Sequence, residues 1–106
     1  MIIRIWHGWT APGNADAYEA LLKEEIFTGI ANRRIEGYRG IELLRREGVG
    51  EVEFITIMRF DAMASICRFA GADPEVAVVP AAARALLTRF DGRSQHYELR
   101  EARSAP

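Results

Sequence analysis

A single α+β domain of order βαββαβ is the fold class this sequence predicts, on three observations. Two-residue alternation runs through residues 1–10, and apolar positions then recur at threes and fours over residues 18–30. Two further alternating segments flank Gly48-Val49-Gly50, a short run of residues that tolerate turn geometry.

The first strand carries Ile3, Ile5, His7 and Trp9 on one face and Ile2, Arg4, Trp6 and Gly8 on the other. Both faces are partly apolar, which predicts a central strand covered on both sides. Pro12-Gly13-Asn14 then breaks the chain, and Asn14 is placed to cap a long amphipathic helix carrying Tyr18, Leu21, Leu22, Ile26 and Ile30. Glu19 and Lys23 are spaced to pair on its wet side, and Gly37 ends the element.

Residues 38–46 and 51–60 read as a hairpin. With Glu47 and Glu51 flanking the turn, Arg45 faces Glu53, Leu43 faces Ile55, Ile41 faces Ile57 and Arg39 faces Arg59. A one-residue slip changes every partner. Asp61 is a fair cap for a helix carrying Met63, Ile66, Phe69 and Ala70 that Gly71 ends, while Pro74 and Pro80 start two more helical pieces reaching about Arg89. Residues 95–100 alternate as a last strand. The domain thus spans 1–100, and 101–106 reads as a frayed tail.

At 106 residues the chain is one domain, and a net charge of −1 with no basic block longer than Arg33-Arg34 or Arg45-Arg46 predicts neither a nucleic-acid nor a membrane-surface partner. Cys67 is the only cysteine, so no intrachain disulfide forms; a reducing cytoplasm and a buried structural thiol are expected. No run of about 18 apolar residues and no leader pattern occurs. GxGxxG and P-loop spacings are absent, so nucleotide and flavin lack their phosphate cradle. Two histidines without an acidic ligand pattern predict no zinc site.

The βαββαβ order predicts a ferredoxin-like four-stranded antiparallel sheet with helices on one face. The other face, expected to carry Trp6, Leu44, Phe54, Met58 and Phe60, is too apolar to stay solvated, which predicts a homodimer. The opening strand, the Pro12-Gly13 turn into a long helix, Gly37-Tyr38-Arg39-Gly40 before the second strand, and the passage from Phe54 to Phe69 resemble the antibiotic-biosynthesis monooxygenase-like family of dimeric α/β barrels. That resemblance covers nearly the whole chain. It implies two joined sheets and oxygenation of an aromatic or phenolic metabolite by a substrate anion that itself meets oxygen, without metal or flavin.

The chain departs from the family at several markers. Met58-Arg59-Phe60 stands where many relatives have a tryptophan, and Arg68-Phe69-Ala70 where many have a histidine. Haem-degrading relatives place asparagine, tryptophan and an iron-ligating histidine near Trp6-His7, Cys67-Arg68 and Val78-Val79, so no haem is expected and no cofactor is implied. These gaps favour the alternative of a non-catalytic dimeric ligand-binding or accessory module.

Parity with Ile3, Ile5, Ile55 and Ile57 places His7, Trp9, Arg39 and Arg59 under the helices, and a first strand parallel to the third brings their ends together near His96. The candidate site is therefore His7 as base, since histidine suits proton abstraction near neutrality, with Arg59 holding an anion. Trp9, Arg39 and His96 would bind substrate. Each has a structural reading beside this one: His7 bonded to a carbonyl, Arg59 paired with Asp61 or Glu36, the tryptophans as packing residues. Glu42 is expected opposite Thr56, bonding across the dimer.

Overall fold

A computed structural model describes the whole chain, 1–106, as an α+β domain with a five-stranded antiparallel sheet and helices on one face. The strands are β1 (Ile2–Thr10), β2 (Tyr38–Glu47), β3 (Val52–Phe60), β4 (Leu87–Phe90) and β5 (Gln95–Glu98), in the spatial order β2-β3-β1-β4, with β5 also on β1. This is the ferredoxin-like arrangement, its fourth position filled by two short strands. β4 pairs with Gly8–Thr10 and β5 with Ile2–Ile5, and residues 91–94 interrupt them.

The long helical segment follows a 3-10 turn at Pro12–Asn14. It runs as α1 (Ala15–Leu21), a π turn (Leu22–Ile26) and α2 (Phe27–Asn32). The Phe27 N–H reaches back five residues to the Leu22 carbonyl. Asn14 makes no side-chain cap, whereas Lys23 does pair with Glu19 at 2.7 Å. Gly37 has φ +86°, and a Cβ there would sit 2.0 Å from Ser65 Oγ, so only glycine lets α3 (Met63–Ala70) close on the start of β2. Asp61 does not cap α3, because its carboxylate is taken by Arg39. Beyond α3 only α4 (Ala81–Arg84) is helical. The region after Pro74 is an irregular loop, and 87–90, expected as helix, is strand β4.

The hairpin register differs from the expected one by a single residue. Gly48 N–H bonds the Glu51 carbonyl at 2.9 Å, so Glu51 belongs to the turn and Glu47 pairs with Val52. Leu43 then faces Thr56, Ile41 faces Met58 and Glu42 faces Ile57, and a bulge at Arg39 leaves Gly40 opposite Arg59. The slip inverts the faces of β3.

Phe54, Met58 and Phe60 lie under the helices at 0, 4 and 0 % exposure, with Trp6 beside them. Ile3, Ile5, Ile55 and Ile57, with Leu44, occupy the open face instead. Aromatic and long side chains fill the deep helix-to-sheet interval, and the flatter β-branched ones are left outside.

The covered core is two clusters. Ala15, Tyr18, Leu22, Val52, Phe54 and Ala83 form one, and Met58, Phe60, Ile66 and Phe69 the other. Cys67, expected buried, is exposed. Residues 101–106 are exposed and irregular, and no helix is long and apolar enough to cross a membrane.

Candidate functional site

Between the two core clusters the covered face leaves a cavity. Tyr18, Leu22, Ile26 and Phe27 roof it from the helical rod, Trp6, Thr56 and Met58 floor it from the sheet, and Val78, Val79 and Pro80 form one side. Its empty space, mouth included, is ≈ 480 Å³, of which ≈ 50 Å³ is deep enough to admit the centre of a water molecule. The π turn and the irregular loop are two of its walls. A π turn rotates the helix face out of register, and here it keeps Leu22, Ile26 and Phe27 all aimed at the same space.

The polar groups in the wall include Arg4, Thr56 and Ser94. Arg4 projects from β1 into the covered face and is 3 % exposed. Its Nη1 donates to the Pro74 carbonyl and to His96 Nε2 at 2.8 Å, and its Nη2 donates to the Val76 carbonyl at 2.9 Å. Burial pushes the guanidinium down to about 10, so it stays charged at neutral pH. Because a guanidinium only donates, His96 Nε2 must accept, which puts the ring proton on Nδ1. Burial first, then the Arg4 charge, hold His96 below its ordinary value, against the opposing pull of Glu75. Burial also raises Tyr18 above the usual phenol range, keeping its hydroxyl protonated.

Of the five candidate site residues read from sequence, only His96 comes near this cavity, through its bond to Arg4. His7, Trp9 and Arg59 lie on the open face, contrary to expectation, because β3 is inverted by the register slip. They also do not share an end. β1 runs antiparallel to β3, so His7 faces Ile55 while Arg59 faces Ile3.

At one end His7 Nδ1 bonds Glu53 at 2.9 Å, its ring stacks on Trp9, and the Arg89 guanidinium lies 3.7 Å over the indole. At the other, Arg59 bonds Glu42 of its own chain rather than Asp61 or Glu36, and Arg39 grips Asp61 with two donors. Arg39 is exposed. Trp6, expected at an interface, donates its indole N–H to the Asp91 carbonyl at 2.8 Å inside the covered face. A Cβ on Gly8 would lie 2.5 Å from that indole, so glycine lets it fold flat along the strand.

Arg4 was not singled out. Its signal was present: a lone charge between Ile2 and Trp6 on one strand face. No group of three His, Cys, Asp or Glu side chains is placed to hold a metal.

No protein-family model matches the sequence, and no curated protein matches it. Solved structures do. A Bacillus cereus protein that carries the name antibiotic biosynthesis monooxygenase as a provisional assignment superposes with a TM-score of 0.69, over 98 % of this chain and 97 % of its own, at 14 % identity. Rv0793 from Mycobacterium tuberculosis superposes with a TM-score of 0.63, over 97 and 98 %, at 20 % identity. At such identities the likeness is one of fold. The chain shares the ferredoxin-like α+β fold of these two proteins, the fold class its sequence pattern implied.

Proposed function

We propose that this protein is a small monooxygenase of the antibiotic-biosynthesis type, oxygenating an aromatic or phenolic metabolite without metal, flavin or haem in the cavity beneath the helices. The observation that carries this reading is the cavity itself: an apolar space between helices and sheet, with a few fixed donors in its wall, on a fold shared with a protein named for this activity. The chemistry needs no external reductant. A phenol converted to a quinone loses two hydrogens and gains one oxygen atom from O2, while the second oxygen atom leaves as water with those hydrogens. The ionised substrate donates the electrons. The protein's part is to hold the ring, exclude water and stabilise the anion.

His7 and Arg59 belong to a second component of the proposal, a homodimer joined through the open face. Ile3, Ile5, Ile55, Ile57 and Leu44 form its apolar centre, with His7–Glu53 and Arg59–Glu42 at its borders. A reducing cytoplasm suits the single exposed thiol.

One observation favours the non-catalytic module instead. His96 Nε2 is occupied by Arg4, and His7 and Glu53 lie across the sheet, so the cavity holds no free imidazole or carboxylate base. Oxygen uptake decides between the two. With a panel of hydroxylated benzenes and naphthalenes, the monooxygenase reading expects protein-dependent consumption of one O2 per substrate oxidised, insensitive to chelators. Binding of panel members with no uptake above the blank would leave the module reading in its place.

A further inference from the structure

Arg4 differs from the other well-fixed arginines of this protein. Arg39, Arg45, Arg59, Arg89 and Arg93 each meet a carboxylate at the surface. Arg4 is buried and meets none. Its partners are two backbone carbonyls and a neutral imidazole, which satisfy donors but carry no net charge. A guanidinium has five N–H donors, and three are used here, so two remain without a protein acceptor. The group also lies 5.5 Å over the Phe69 ring, at the wall of the cavity. A buried charge without a counter-charge is unfavourable, and an anion placed in the cavity would offset that cost.

The size of the cavity limits that anion. The ≈ 50 Å³ of deep space exceeds what one water needs, yet it is about a third of an apolar cavity that takes up benzene. A single ring enters if the π turn or the Val78-Val79-Pro80 loop gives way slightly, whereas fused rings demand far more.

We propose that Arg4 is the recognition group of this cavity, pairing with the ionised oxygen of a monocyclic aromatic carboxylate or phenolate whose ring lies among Trp6, Met58 and Phe69. His96 is the positioning residue: by accepting one Nη1 donor it fixes the fork, leaving the free donors for the ligand. The proposal rests on the reading that the cavity is the substrate site, and it names the charge and size class that site takes.

Titration calorimetry with benzoate and with benzyl alcohol, which has the same ring and no charge, tests it. Wild-type protein should bind benzoate at least about tenfold more tightly, the worth of one hydrogen bond to a charged group. Bound 4-nitrophenol should show its ionised absorption band at a pH where the free compound is mostly protonated. Arg4→Met should remove the benzoate preference and the band shift while binding benzyl alcohol as well or better.

Should Arg4→Met fail to fold, the two wild-type measurements still decide. Equal binding of the two ligands with no band shift overturns the role of Arg4 and leaves the cavity as substrate site. Val79→Trp, which fills the cavity mouth, should abolish binding of both. Binding that survives it, or absence of any binding by wild-type protein, overturns the cavity reading and the role of Arg4 together.

Discussion

His96 binds its proton less readily in the native fold than in the unfolded chain, because it is partly buried beside the Arg4 cation. The unfolded chain therefore takes up more protons from about pH 6.5 downward. The resulting stability is fully present above that pH and is lost as pH falls toward the lowered native value. Chemical denaturation across this window should show the loss in wild-type protein, and His96→Gln, which keeps an acceptor for Arg4 but cannot titrate, should flatten it. At Gly37, alanine would take a strained positive φ and its Cβ would fall only 2.0 Å from Ser65 Oγ, a clash; Gly37→Ala should cost about 1–3 kcal/mol by thermal melting. Both consequences rest on local chemistry that a sequence only half discloses. Gly37 is legible as a break before the second strand, although the helix it was expected to end already stops at Asn32, and its closeness to Ser65, which lies on another element, is not legible. His96 is legible as a strand histidine, but its face follows from pairing with Arg4 rather than from its neighbours in the chain.

Elements whose signals are local came through intact. β1, the long helical rod, the hairpin and α3 all follow from periodicity and from glycine and proline punctuation. Register and strand direction did not, because each depends on distant partners. Including Glu51 in the turn exchanges the faces of β3, and both alternatives look apolar: Phe54, Met58 and Phe60 against Ile55 and Ile57. Side-chain bulk was the available discriminator, since a helix resting on a sheet leaves a deep interval for aromatic rings to fill. Phe54 thus belongs to the core against Tyr18, with ring centroids 4.9 Å apart, and not to an interface. Phe54→Ala should cost about 3–5 kcal/mol in denaturant unfolding, by the same amount at every protein concentration. If that cost falls on dilution, Phe54 does stabilise an assembly.

For the whole molecule, the open sheet face is where the proposed homodimer would join. Ile57→Asp places a charge at the centre of the proposed dimer face while leaving the core beneath the helices untouched. Sedimentation at micromolar concentration should show a dimer for wild-type protein and a monomer with unchanged helical content for the variant. A wild-type monomer would remove the homodimer while leaving the cavity reading intact. The interruption at residues 91–94 adds a constraint of its own. The outer margin beyond β1 is not one continuous strand but two stubs of four residues, and between them Gly92 and Ser94 bond Ala77 and Glu75 instead of β1. A strand from another molecule would find too short a row of free N–H and C=O groups there to extend the ladder. The opposite margin, β2, is long but studded with Arg39, Arg45, Arg46 and Glu47. Sideways growth into filaments is thereby discouraged at both margins, which favours the closed, face-to-face pair proposed above.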